Sequence, residues 1–77
     1  MKSVTIKLSS IEAVRNFVDI VRKYDADIDL ASGRYLVDAK SIMGIFSLDL
    51  MNPIKLTVHA DSCDDLFAEL KDYIIEE

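Results

Sequence analysis

Cysteine, proline, glycine and tryptophan are scarce in this chain. Its 77 residues include one cysteine, one proline, two glycines and no tryptophan. Because Cys63 has no second cysteine in the chain to pair with, an internal disulfide is excluded and a reducing, cytoplasmic location is indicated. So few prolines and glycines argue against a linker or a disordered tail. We therefore expect one small domain over residues 1–77.

Long hydrophobic runs and clusters of positive charge are also missing. No apolar run approaches the roughly 18 residues of a membrane-spanning helix, and the alternating segment 1–7 lacks the apolar stretch of a signal peptide. The nine basic residues are scattered, and 14 acidic residues bring the net charge to −5. The sequence therefore offers no cationic stripe for nucleic acid and no sign of membrane attachment.

Motifs for catalysis or metal binding are lacking as well. One histidine, one cysteine and scattered carboxylates form no metal-ligand spacing, and the sequence contains no glycine-rich loop and no catalytic triad. His59 alternates outward on a predicted strand and is interpreted as a surface residue. Cys63 is interpreted as a small, half-buried apolar residue at the start of a helix. We expect no enzyme activity, no metal and no cofactor.

Alternation of apolar and polar residues predicts four strands. They cover residues 2–8, 27–31, 34–39 and 54–60. Ser32-Gly33 between the second and third strands leaves a loop of two or three residues, which implies an antiparallel hairpin.

Apolar residues at helical spacing predict three helices. The first covers roughly residues 11–24 and is capped by Ser9 or Ser10, between which the pattern does not choose. A short helix begins at Ser41, is weakened by Gly44, and is expected to close at Asp49 in a left-handed conformation. Asp61 or Ser62 is expected to cap the last helix. Its apolar positions are Leu66, Phe67, Leu70, Tyr73 and Ile74.

The resulting order, β-α-β-β-α-β-α, predicts an α+β fold. Four short strands would form an open-faced antiparallel sheet that the helices cover on one face. The other face would be polar and exposed to water. The residues on it are Thr5, Lys7, Asp27, Asp29, Lys55, Thr57 and His59.

Two segments of the chain carry a family resemblance. Residues 22–30, RKYDADIDL, look like the end of the first helix and the second strand of the HPr family, the phosphocarriers of the sugar phosphotransferase system. Residues 39–48, AKSIMGIFSL, resemble the regulatory-serine segment of that family in Gram-positive bacteria, and the spacing between the two segments agrees without a gap. The resemblance extends over nearly the whole chain and implies the HPr-like open-faced β-sandwich.

The family's active-site run, Gly-x-His-x-Arg-Pro, is missing. The ungapped spacing places Leu8 at the glycine, Ser10 at the histidine, Glu12 at the arginine and Ala13 at the proline. A serine hydroxyl needs an activating base, whereas an imidazole is a nucleophile near neutral pH, and a carboxylate repels a phosphoryl group. The chain therefore resembles the catabolite-repression HPr proteins, which lack the active histidine, and no catalytic residue is assigned.

Ser41 is the leading candidate for a functional residue. In the family the matching serine is phosphorylated by an ATP-dependent kinase, and a phosphate at a helix start meets free N–H groups. A plain helix cap is the alternative interpretation. The resemblance also implies a partner-binding patch, for which core packing is the alternative. Its candidate residues are Lys40, Ile42, Met43 and Phe46.

The resemblance implies a regulatory or binding protein of the sugar phosphotransferase system or of carbon catabolite control. Its partners would be an HPr kinase/phosphorylase and a transcriptional regulator of the LacI type. A diverged binding module without phosphorylation is one alternative. A small-molecule-sensing α+β domain, with only an architectural likeness to the family, is another.

Overall fold

The computed structural model describes residues 2–61 and 63–76, which form five strands and three helices. In chain order the elements are β1 (Lys2–Ile6), α1 (Ile11–Val21), β2 (Asp27–Ser32), β3 (Tyr35–Asp38), α2 (Ile42–Phe46), β4 (Ile54–His59), α3 (Asp64–Glu69) and β5 (Ile74–Glu76).

All five strands belong to one antiparallel sheet in the order β3-β2-β4-β1-β5. The register sets Leu56 of β4 opposite Val4 on one side and Leu30 on the other, and these three side chains are buried. Because successive side chains of a strand point to opposite faces of the sheet, the polar residues that alternate with these buried ones face the other side. The predicted α+β fold with an open sheet face is confirmed.

The helices contribute the other half of the core. α1 presents Val14, Phe17, Val18 and Val21 to it, and each is almost fully buried. α2 and α3 each add one fully buried side chain, Ile45 and Leu66 respectively. Among the described residues no helix is long and apolar enough to cross a membrane.

The end of the chain differs from the sequence prediction. α3 ends at Glu69, Tyr73 lies in a turn, and Ile74 begins β5, which pairs with β1. Apolar residues at 66, 67, 70, 73 and 74 suit a helix, but the free edge of β1 offers the backbone a partner, and Lys7 N–H donates to Tyr73 O at 2.9 Å. Tyr73 then packs edge-on against Phe17, with ring centroids 6.1 Å apart. The sheet therefore has five strands rather than the four expected.

Two predicted helix boundaries are also wrong. Asp61 does not cap α3, because the cap position is Cys63, whose side chain makes no capping hydrogen bond; Ser62 lies outside the described residues. α2 ends at Phe46 with Ser47 as its cap, and no described residue other than glycine has a positive φ. The Asp49 carboxylate instead accepts from Met51 N–H at 3.0 Å and from the Asn52 side chain at 2.7 Å.

The hairpin between β2 and β3 closes as predicted. Ser32 pairs with Tyr35, so the loop consists of two residues, and Gly33 at its first position has φ of 59°. A positive φ at the first of two loop residues is typical of a type II′ turn, in which glycine carries no steric cost. This glycine therefore fixes the register of β3.

Candidate functional site

Ser41 lies at the start of α2 with an exposed side chain. Its Oγ accepts a hydrogen bond from Gly44 N–H at 3.2 Å, which makes it the N-cap of the helix, as the sequence predicts. The Ser41 N–H donates to Asp38 O at 3.0 Å and ties the cap to the end of β3. Because Oγ acts here as an acceptor, its own proton is left to solvent or to an incoming group.

Gly44 allows α2 to lie close to β3. A Cβ added at Gly44 would stand 3.2 Å from Ser41 Oγ and 3.3 Å from Val37 Cβ, both tighter than ordinary van der Waals contact. The glycine that weakens the helix in isolation is thus required by the packing of the helix on the sheet. It also leaves its N–H group facing the serine hydroxyl.

Lys40 does not lie free beside Ser41. Its ammonium group donates to Tyr24 O at 2.6 Å, in the turn after α1, and the residue is half-buried. Lys40, a candidate for the partner-binding patch, is therefore not a ready counter-ion for Ser41, because this hydrogen bond would first have to break.

Arg22 is a cation near Ser41 that sequence reasoning missed. Its Nε and terminal nitrogen lie 3.3 Å and 3.2 Å from Lys40 O, so the guanidinium group sits one residue before the cap. No local pattern could have revealed the contact, because 18 residues separate the two positions and only the packing of α1 beside α2 brings them together.

The predicted apolar patch on α2 is divided between core and surface. Met43 and Phe46 are exposed, at 78% and 41%. Ile42 is half-buried and packs against the core, and Ile45 is fully buried. Met43 and Phe46 are therefore the two residues of α2 whose apolar surface is available to a partner.

A second apolar surface lies at the start of α1. Ile11 and Met51 are both well exposed. They border a groove of about 370 Å³ between the start of α1 and the loop that follows α2. The Lys7 ammonium group donates to Met51 O at 2.8 Å and holds that loop in place. This surface escaped the sequence analysis because the two residues are 40 positions apart.

Ser10, at the start of α1, has a structural role. Its backbone is extended and its Oγ accepts from Ala13 N–H at 3.0 Å, so Ser10, not Ser9, is the N-cap of α1. The hydroxyl borders the groove near Ile11. No described histidine lies next to it.

His59, the only histidine in the sequence, is far from Ser10 along the sheet. His59 is the last residue of β4, and its neighbour Val58 pairs with Lys2, the first residue of β1. Ser10 lies beyond the other end of β1, which is Ile6. At about 3.3 Å per residue, the length of β1 separates the two. His59 is exposed, as predicted, and its Nε2 lies 2.7 Å from Asp29 Oδ2 on the open face.

The remaining candidates have ordinary environments. Cys63 is a free, buried cysteine that packs in the core. In the part of the chain that the structure describes, no group of three histidine, cysteine or acidic side chains could hold a metal ion.

A polar contact fixes the end of α1 to α3. Glu69 accepts hydrogen bonds from the Lys23 ammonium group, at 2.5 Å, and from the Tyr24 hydroxyl. Both bonds favour the carboxylate, and they lower the pKa of Glu69, the lysine bond most. The bond to Glu69 raises the pKa of Tyr24 to about 12, since an ionised phenol could not donate. The segment that carries Arg22 is thereby held in place.

Comparison with known proteins now places the chain in a family. Residues 4–76 match the family model PTS-HPr, described as the PTS HPr component phosphorylation site. The chain therefore belongs to the HPr family. It is similar to HPr-C-His of Thermoanaerobacter tengcongensis, with 32% identity, 94% of this chain and 89% of the other covered, and a TM-score of 0.80. It is also similar to the phosphocarrier protein HPr of Bacillus anthracis strain Ames, with 28% identity, 95% and 93% covered, and a TM-score of 0.69.

Proposed function

We propose that this HPr-family protein acts as a regulatory or binding protein of the sugar phosphotransferase system or of carbon catabolite control, and not as a phosphohistidine carrier. One observation carries the proposal. Ser10 occupies the position that the family resemblance assigns to the histidine, and its hydroxyl caps α1 by accepting from Ala13 N–H. The single histidine of the chain lies at the other end of β1.

Charge supports the same conclusion. Glu12 replaces the arginine that the resemblance assigns next to the phosphoryl group, and it lies exposed in the first turn of α1. Moving a phosphoryl group up to a carboxylate costs electrostatic energy, whereas an arginine would stabilise it. Neither the nucleophile nor the stabilising cation of a carrier is present at the start of α1.

Ser41 is the proposed regulatory site. Its Oγ would attack the γ-phosphorus of ATP in a kinase, lose its proton to a base of that kinase, and release ADP. The product adds roughly −1.5 to −2 charges at the start of α2. Gly44 N–H already points at Oγ, and Arg22 stands one residue away as a counter-ion. The fold would be retained, because an anion complements that end of a helix.

The proposed partners follow from this chemistry and from the family. HPr proteins interact with other proteins of the phosphotransferase system; here the partners would be an HPr kinase/phosphorylase and a regulator of the LacI type. Met43 and Phe46 supply adaptable apolar contacts beside Ser41, and phosphorylation would favour a surface that bears arginines. The alternative within the same family is a binding module that uses this patch without phosphorylation.

Phosphoenolpyruvate and the general phosphotransferase enzyme test the first part of the proposal. The protein should take up no phosphoryl group under conditions in which an ordinary HPr is fully modified. The double variant Ser10→His/Glu12→Arg is the matched control, because it restores the two missing groups at the start of α1. An acid-labile phosphohistidine on His59, absent from His59→Ala, would overturn the proposal.

A further inference from the structure

Arg22 is fixed at the end of α1 with its charge unpaired. It is the C-cap of the helix, and its backbone N–H donates to Val18 O at 3.0 Å. Among residues 2–61 and 63–76, the structure contains the ion pair of Glu69 and the ion pair of His59, and neither involves Arg22. The guanidinium group therefore keeps a positive charge that no carboxylate of the described chain neutralises.

The guanidinium group of Arg22 lies against the peptide unit that joins Lys40 to Ser41. Its Nε and one terminal nitrogen lie 3.3 Å and 3.2 Å from Lys40 O. The N–H of the same peptide unit donates to Asp38 O, at the end of β3, at 3.0 Å. Because the C=O and N–H of a trans peptide point in opposite directions, this peptide unit is held between β3 on one side and α1 on the other. Arg22 thus approaches Ser41 from the side of α1.

The other charged side chains next to Ser41 already have partners. The Lys40 ammonium group donates to Tyr24 O at 2.6 Å, and the Asp38 carboxylate accepts from Lys40 N–H at 2.8 Å. α2 itself, with the sequence IMGIF, carries no charged residue. A guanidinium group has five N–H donors, and the two contacts to Lys40 O use two of them. Arg22 therefore has both a charge and N–H donors left for an anion at Ser41.

A phosphate on Ser41 Oγ would come within reach of this guanidinium group, because Arg22 already contacts the carbonyl of the adjacent residue. The planar fork of an arginine binds two phosphate oxygens at once, through charge-assisted hydrogen bonds. Such a bond would connect the end of α1 to the start of α2. The third terminal oxygen of the phosphate would stay available to an arginine of a partner.

We propose that Arg22 is an intramolecular receptor for the phosphate on Ser41, whose oxygens the guanidinium group of the same chain binds so that α1 and α2 are braced together. The inference rests on the proposed phosphorylation of Ser41 and specifies how the modified site is arranged. The phosphate is then held in one position beside Met43 and Phe46, and a partner meets an ordered dianion. A lysine at position 22 would replace the arginine only in part, since an ammonium group lacks the planar fork.

Titration of the phosphate by ³¹P NMR tests this proposal. Phosphoserine is incorporated at position 41 during synthesis of the protein, so that no kinase is needed and a failed kinase reaction counts against the proposed function alone. The pKa of the phosphate should be lower in the protein with Arg22 than in Arg22→Gln, because a nearby cation favours the dianion. Arg22→Lys should give a pKa between the two.

Arg34→Gln is the matched control, because it removes the same charge from an exposed arginine in the turn before β3. The four residues of β3 separate this turn from the segment of Ser41 by about 13 Å. That distance exceeds the screening length of about 8 Å at physiological ionic strength. Arg34→Gln should therefore leave the pKa of the phosphate unaltered.

The NMR signal of the Arg22 Nε–H group tests the contact itself. Its ¹H and ¹⁵N shifts should change when position 41 carries phosphoserine, whereas those of Arg34 should stay the same. This measurement decides the question even if Arg22→Gln does not fold, which circular dichroism reports. The proposal is overturned if the Arg22 signal does not respond to the phosphate, if folded Arg22→Gln titrates like the protein with Arg22, or if Arg34→Gln raises the pKa of the phosphate as much as Arg22→Gln.

Discussion

At the scale of single residues, the N-cap serines of α1 and α2 share a geometry but have different proposed roles. Ser10 and Ser41 both accept a hydrogen bond from the N–H three residues on, at 3.0 Å and 3.2 Å. Ser41 lies beside the exposed Met43 and Phe46 and near the Arg22 guanidinium group, whereas Ser10 lies beside the exposed Ile11 and is followed by Glu12 in the first turn of α1. The same capping geometry is therefore compatible with a purely structural role at Ser10 and a regulatory one at Ser41.

Ser10→Ala should lower the free energy of unfolding by about 1 kcal/mol, because Ala13 N–H loses its side-chain acceptor. Chemical denaturation of the variant measures the change. Ser9→Ala is the control and should leave the midpoint unaltered, since Ser9 is not the cap. A larger loss for Ser9→Ala than for Ser10→Ala would move the cap to Ser9 and contradict the assignment.

Lys23→Ala should raise the pKa of Glu69, because the lysine ammonium is the main cause that lowers it in the folded protein. A carboxyl whose pKa is lowered on folding contributes stability above its unfolded pKa, and that contribution is lost as the pH falls through the folded pKa. As the pH is lowered, the free energy of unfolding of the variant should therefore fall less than that of the unmodified protein. NMR titration of the Glu69 carboxyl measures the pKa directly.

Lys71→Ala, which removes an exposed lysine from the turn after α3, is the control for this titration and should leave the Glu69 pKa alone. The shifted pKa of Tyr24 has the opposite effect on how stability depends on pH. Its pKa is raised from 10.0 to about 12, so its contribution is present below the unfolded pKa and is lost as the pH rises through the folded one. An unaltered Glu69 pKa in Lys23→Ala would contradict the account of this contact.

At the scale of elements, α2 is a short helix with one buried and one exposed apolar side. Ile45 holds it in the core, while Met43 and Phe46 face solvent. Gly44 permits the close packing on Val37 that sets the position of the helix. A surface of this kind can change its partner contacts without disturbing the fold.

Phe46→Ala should weaken binding of a partner while the stability of the domain changes little, because Phe46 is partly exposed and lies outside the core. Ile45→Ala is the matched core variant and should cost about 2–5 kcal/mol of unfolding free energy. Calorimetric titration with the partner, together with denaturation, separates the two effects. Equal loss of stability in both variants would show that Phe46 is a core residue rather than a docking one.

At the scale of the whole molecule, the sequence predicts the fold well because the fold depends on local patterns. Alternation and helical spacing identify β1 to β4 and all three helices, and Gly33 identifies the hairpin. β5 was missed because the spacing of Leu70, Tyr73 and Ile74 also suits a helix, and only the free edge of β1 decides between the two.

The contacts that build the site were less predictable. Arg22 reaches Lys40 across 18 residues, and His59 meets Asp29 across 30. Such pairs depend on how elements pack and on the register of strands, which no local pattern records. The family resemblance identifies Ser41 as a candidate, but it could not predict the hydrogen bond from the Lys40 ammonium group to Tyr24 O.

The most direct test of the central claim is incubation of the protein with an HPr kinase/phosphorylase and ATP, followed by mass-spectrometric mapping of the phosphate. The account predicts a single phosphate on Ser41, none on the folded Ser41→Ala variant, and none on Ser47, whose hydroxyl already donates to Gly44 O at 2.5 Å. A chain left unmodified under conditions that phosphorylate an ordinary HPr, or a phosphate on Ser32, Ser47 or Ser62 instead, would contradict it.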